Sequence, residues 1–223
     1  MYFFNCTPYH WRYLPHRWLL IASCLTIIQV DAFHIILDPA GDAKNTGRQL
    51  ATCYERSITL QLCEVLKENI LKQHPTCTVT ITRTTGETRS QEQRAQMANQ
   101  LNANLFVHIS CFEDTSLKPH VMLYYMSSNN LLYTPPAYTL IPAHKGPDIA
   151  LPNTKKFIRS MYTNLSKQTF YTILNPYAIP DTRLASIMVP ALTIEFGISR
   201  TMSWTSLIEP LSNTLILCIQ EQA

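Results

Sequence analysis

Short apolar runs alternate with helix-patterned stretches along most of this chain, and that alternation leaves few architectures open. FHIIL at 33–37, TVTIT at 78–82, Leu105–Ile109, His120–Met126 and PALTIEF at 190–196 are rich in β-branched and apolar side chains and read as strands. Between the first two, Glu55–Leu71 places apolar residues at Ile58, Leu60, Leu62, Cys63, Leu66, Ile70 and Leu71, a helical stripe that stops at His74-Pro75. Ser90–Leu101 reads as a second helix, with Ser90 as its cap and Gln93 three residues on completing a capping box. Helical patterns return at Asn153–Lys167 and Trp204–Ile219. Strand following helix in this way predicts a three-layer α/β/α sandwich around a mostly parallel mixed sheet. A chain of 223 residues with 46% apolar side chains is long enough to bury one such core.

One stretch breaks the rhythm. Residues 127–152 are proline-rich, contain Asn129-Asn130 and Gly146-Pro147, and show no apolar period. A long loop of this kind inside a compact domain is usually functional or mobile. Its Tyr133, Tyr138, Leu131, Leu132 and Leu140 form a candidate interaction patch, or a lid over a groove. The net charge of +3 is spread thinly. After the N-terminus its densest group is Lys155, Lys156 and Arg159, which reads as a solvated helix face and not as a nucleic-acid stripe.

The N-terminus has the three parts of a secretory signal peptide. Residues 1–17 lack acids and carry Arg12 and Arg17, thirteen apolar-rich residues follow from Trp18 to Val30, and Val30-Asp31-Ala32 offers small side chains at a cleavage site. The run is short of the roughly 20 residues a membrane-spanning helix needs, although an uncleaved anchor is the alternative reading. The organisation expected is therefore a signal segment at 1–32 and a domain at 33–223, exported to the periplasm or the cell exterior. Five cysteines lie in the domain, Cys53, Cys63, Cys77, Cys111 and Cys218, with no CxxC spacing and no pairing that the sequence can name.

Chemistry-bearing residues gather in three segments: Leu37-Asp38-Pro39-Ala40-Gly41-Asp42 with Glu55 opening a helix; Thr82-Arg83, Arg94, Ala98-Asn99 and Asn104–Ser110; and Pro190–Gly197 around Glu195. In order and spacing this set resembles the zinc-dependent N-acetylmuramoyl-L-alanine amidases, family-3 catalytic domain, whose landmarks read LDPGHGG, a helix-opening Glu, TR, RxxxAN, LFxSIHxN and PAxLxExGF. The resemblance spans 33–223 and implies an amidase/phosphorylase-like fold. It also implies one zinc held by His, Glu and His, which lowers the pKa of a bound water to about 7, and a separate Glu that shuttles the proton. The bond cut would join N-acetylmuramic acid to L-alanine in peptidoglycan.

Carried over position by position, Glu55 matches the ligand glutamate and Glu195 the catalytic one, but Gly41 and Ser110 stand where the two ligand histidines belong. His108, two residues before Ser110 on the same strand face and about 6.6 Å away, is the nearest replacement nitrogen. A relocated zinc site of Asp42, Glu55 and His108, with Asp38 as a further oxygen, has acceptable ligand types. The alternative is that His108 fills a former polar slot and hydrogen-bonds to Glu55 or Glu195. Cys111 points to the opposite face by strand alternation, and His34 reads as a satisfied core histidine. Arg83 is expected to pair with an acid or cap a loop, and Arg94 and Asn99 to fix the helix-to-strand junction. Three functions remain open: a non-catalytic amidase relative that binds peptidoglycan or a partner, an active amidase with relocated metal, and an envelope protein that acts through loop 127–152.

Overall fold

In a computed structural model, residues 32–127, 142–199 and 203–221 are described. The segment expected to be a signal peptide and the centre of the proline-rich loop, with its tyrosines and leucines, lie outside them. Strand β1 (His34–Pro39) runs through a loop into helix α1 (Glu55–Gln73), which leads to β2 (Thr78–Ile81). Helix α2 (Gln91–Gln100) precedes the long β3 (Leu105–Glu113), and β4 (His120–Tyr125) follows. Beyond a 3-10 segment at Ala143–Ala150 come α3 (Leu151–Leu165), the two-residue strands β5 (Thr172–Ile173) and β6 (Tyr177–Ala178), then β7 (Ala191–Ile198) and α4 (Ile208–Gln220).

Among the described residues these strands form one sheet in the order β2-β1-β3-β7-β4-β5, with β6 also on β4. Pairing is parallel throughout except between β4 and β7. The result is the mixed α/β sheet that the strand–helix alternation predicts.

Side-chain alternation explains where the cores sit. Ile35 and Leu37, then Val107, Ile109 and Cys111, then Leu192, Ile194 and Phe196 all project to one face, where α1, α3 and α4 cover them. Full burial of each such Leu, Ile or Phe contributes roughly 1.5–3 kcal/mol. The opposite face holds a smaller core of Ile36, Phe106 and Ala191 against Ala95 and Ala98 of α2 and the segment Leu184–Val189. Toward the carboxyl ends of β1, β3 and β7 that second face becomes polar: Asp38, His108, Ser110, Thr193 and Glu195 follow in the same alternation and are all buried.

The expected capping box is formed. The Ser90 hydroxyl accepts the Gln93 N–H, and the Gln93 side chain accepts the Ser90 N–H, so two otherwise orphan donors at the start of α2 are satisfied. Other boundaries differ from the pattern reading. Strand β3 continues four residues past Ile109, because pairing with β7 holds it extended through Glu113. The irregular stretch is helical from Ala143, and α3 begins at Leu151 with Pro152 in its first turn, where a missing N–H is harmless. The strands β5 and β6 are too short to show a period. Among the described residues no helix is long and apolar enough to cross a membrane, and all five cysteines are free thiols.

Candidate functional site

Strand register puts the polar residues in rows. Asp38 on β1 lies opposite His108 on β3, and His108 lies opposite Thr193 on β7. One step further along, Ser110 lies opposite Glu195. Parallel pairing of three central strands thus builds a polar wall at their carboxyl ends, the place where open α/β sheets carry ligands. A cleft of about 280 Å³ opens there, lined among others by Asp38, Gly41, Asp42, Arg48, Glu55 and His108.

Asp38 is the hub of the wall. Its Oδ1 accepts the Thr82 hydroxyl at 2.5 Å, and its Oδ2 accepts Arg94 Nη1 at 2.9 Å and His108 Nδ1 at 2.6 Å. Burial alone would raise its pKa, but the hydrogen bond and charge of His108, the charge of Arg94 and the Thr82 hydroxyl outweigh burial and hold it below the usual carboxylate range. With the carboxyl ionised, Nδ1 of His108 must carry the shared proton. This corrects two sequence readings. His108 turns to Asp38 and not to Glu55 or Glu195, and Arg94 secures the site instead of the helix-to-strand junction. Asn99 holds the approach to β7, donating to the Ser186 carbonyl at 2.9 Å and accepting the Met188 N–H at 2.8 Å.

Glu55 opens α1 and is buried beneath the loop that follows β1. Its two carboxylate oxygens accept the Cys111 N–H at 2.9 Å and the Arg48 N–H at 3.0 Å. Glu195 faces the same space, and its Oε1 accepts Arg48 Nη1 at 2.5 Å, while the same nitrogen donates to the Cys111 carbonyl at 3.1 Å. Burial would lower the pKa of Arg48, but the Glu195 bond and charge and the Glu55 charge raise it. A guanidinium therefore joins the two glutamates electrostatically. Its side chain is 49% exposed and that of Glu195 10%, so the pair sits at the cleft mouth. Beside it, burial and the Glu195 charge push the Tyr124 phenol up to about 12, so it stays a neutral donor.

The metal trio of Asp42, Glu55 and His108 is not gathered. Asp42 is spent on its own loop, where Oδ1 accepts the N–H groups of Lys44 and Asn45 at 2.8 and 2.7 Å in a side-chain-to-backbone turn. His108 is fastened to Asp38, and both Glu55 oxygens are occupied by backbone donors. Among the described residues no three His, Cys, Asp or Glu side chains converge as a metal ligand set.

Gly41 and Ser110, where the resemblance would put the two ligand histidines, fit zinc no better. Gly41 offers no donor, and its φ of +72° suits glycine; a Cβ built there would meet Arg56 Cβ at 2.8 Å. Ser110 presents a neutral hydroxyl that is buried without a partner. The Arg48 cation beside Glu195 would repel a dication. Gly47 is also in the left-handed region, and a Cβ there would strike Glu55 Oε2 at 2.7 Å, so both glycines are built into this loop.

The remaining assignments follow from contacts. Arg83 caps the loop, donating to the carbonyls of Ala40 at 3.1 Å and Arg56 at 3.0 Å. His34 is only partly buried and meets Thr80 Oγ1 at 2.9 Å. Cys111 packs into the larger core, as strand alternation predicts. Arg48 is the functional residue that sequence reasoning misses: it falls in a loop with no period, and no motif position marks it.

The fold has counterparts. A family model described as N-acetylmuramoyl-L-alanine amidase matches residues 35–201. Among similar solved structures is the catalytic domain of CwlV, an amidase from Bacillus (Paenibacillus) polymyxa var. colistinus, at 20% identity and TM-score 0.63, covering 85% of this chain and 97% of that one. AmiC2 of Nostoc punctiforme matches at 14% identity and TM-score 0.56 over 85% and 96%. The CwlD amidase of Clostridioides difficile, solved in complex with the GerS lipoprotein, matches at 17% and 0.52 over 85% and 97%. A comparison with curated proteins gives no match. With the family model spanning most of the domain, the chain belongs to the N-acetylmuramoyl-L-alanine amidase family.

Proposed function

We propose that this chain is a non-catalytic member of the family that binds peptidoglycan in the cleft at the carboxyl ends of β1, β3 and β7. The observation that carries this reading is Arg48: its guanidinium pairs with Glu195, the residue matching the catalytic glutamate, and raises the positive charge beside Glu55. A general base tied to a fixed cation, with glycine and serine at the two histidine positions, lacks the means to activate water through zinc. Export to the periplasm or the cell exterior, directed by residues 1–32 as a signal peptide, would bring the protein to such a ligand.

Incubation of the full chain with purified sacculi, with and without added zinc, tests the reading. The protein is expected to sediment with the sacculi and to release no soluble muropeptide. Clearing of the sacculi that is abolished by Glu195→Ala would make it an active amidase instead.

A second reading, binding to an envelope protein through loop 127–152, has one support: a fold relative, CwlD, is solved with a lipoprotein. Deleting 128–141 is expected to leave sedimentation with sacculi intact and to remove a protein partner from cross-linked envelopes. A partner that survives the deletion would sink this second reading.

A further inference from the structure

Buried side-chain nitrogens and oxygens nearly always have hydrogen-bond partners, so the exceptions point to something that completes them. Among the described residues the buried atoms without a partner include Arg89 Nε, Arg94 Nε and His108 Nε2, and all three residues line the same cleft. His108 is only 2% exposed.

Two of these nitrogens belong to side chains held firmly from behind. Arg94 and His108 converge on one oxygen, Asp38 Oδ2, through Nη1 and Nδ1, which leaves Nε of the first and Nε2 of the second unengaged. Arg89 precedes the capped start of α2, with its outer nitrogen 3.9 Å from Glu87. An arginine Nε–H can only donate. Of the arginines that line the cleft, Arg48 and Arg183 are paired with Glu195 and Asp181, and the lining carboxylates Asp38, Asp42 and Glu55 already accept hydrogen bonds from protein groups. Buried donors left without an acceptor call for one with negative charge.

We propose that this cleft binds a small oxyanion, a phosphate or a carboxylate group, on Arg89 Nε, Arg94 Nε and His108 Nε2. A protonated His108 donates a third hydrogen bond to the oxyanion; a neutral one, with its proton on Nδ1, accepts from the hydroxyl of a hydrogen phosphate. The site rests on the unpartnered nitrogens alone and stands whether the chain binds the cell wall, cuts it or does neither.

Calorimetric titration of the full chain with inorganic phosphate, and separately with sodium acetate, tests the site and separates the two sources of charge. One saturable site with a dissociation constant on the order of millimolar or tighter is expected for at least one of them, and the anion that binds identifies the ligand class. Arg89→Gln is expected to weaken it about tenfold, as loss of one charge-assisted hydrogen bond does. Arg183→Gln serves as the comparison: Arg183 lines the same cleft, but its Nε and Nη2 are already committed to Asp181 at 2.6 and 2.9 Å, so affinity should change less than about twofold. In the unmodified protein, NMR signals of the arginine Nε–H groups and the His108 ring should shift with the same saturation curve. Absence of saturable binding by both anions, or equal weakening by Arg89→Gln and Arg183→Gln, would overturn the proposal.

Discussion

The strand ends and the loop after β1 border the same cleft, yet they are specified by different physics. On the strands, Asp38, His108, Thr193, Ser110 and Glu195 occupy positions fixed by parallel pairing, and a change of side chain leaves the backbone in place. In the loop, Gly41 and Gly47 adopt conformations other residues resist, Asp42 folds the chain on itself, and Arg48 is thereby delivered to Glu195. The strands hold their geometry whatever side chains they carry, whereas the path of the loop depends on particular residues.

The sharpest way to break the strand-end wall is to remove its hub. Asp38→Ala leaves Arg94, His108 and Thr82 facing no acceptor in a buried place, and is expected to destabilise the fold by about 3–5 kcal/mol in urea unfolding. The same carboxylate should govern acid sensitivity. Its folded pKa lies below its ordinary 3.8, so its contribution is complete above that value and is lost as pH falls through the lower folded value. Asp38→Asn should therefore flatten the decline in stability below pH 3.8, the ordinary value, while lowering stability at neutral pH. An unchanged acid limb would show that Asp38 is not the hub.

Placing a histidine in the loop should be the next largest perturbation. Gly41→His forces a side chain into a left-handed backbone with Arg56 Cβ at 2.8 Å, and roughly 1–3 kcal/mol of destabilisation is expected. Ser110→His meets no such backbone barrier. If the double variant bound an equivalent of zinc by elemental analysis with stability unaltered, the view that the loop's path depends on Gly41 would fail.

How much of this was legible in the sequence follows the same division. The mostly parallel mixed sheet, the capping box and the buried strands were readable because strand and helix periods assign faces, while Glu55 and Glu195 were singled out by the family resemblance. Even the neighbourhood of His108 was half visible, since its face followed from alternation. Its partner did not, because which strand lies beside β3 is a property of the tertiary sheet. The loop was opaque for a plainer reason: between Gly41 and Arg48 no period exists, and the turn at Asp42 and the two positive φ values emerge only when the chain closes over Glu55.

Helix α2 supplies Arg94 to the wall, and its cap offers a milder test. Ser90→Ala removes one half of the capping box and should cost about 1 kcal/mol, with Arg94 still able to reach Asp38 from the second turn.

The smallest expected effect is the most informative. Arg48→Gln deletes an ion pair whose arginine is half exposed, so stability should change by less than about 1 kcal/mol. Its backbone N–H would still reach Glu55, because that bond belongs to the loop and not to the side chain. If the guanidinium alone kept metal out, this variant would take up zinc. Equilibrium dialysis against zinc is expected to show none, because removing a cation supplies no nitrogen at Gly41 or Ser110. Zinc uptake by Arg48→Gln would mean that the loop has been blocked and not remade, and would turn the difference between strand ends and loop into a matter of one side chain.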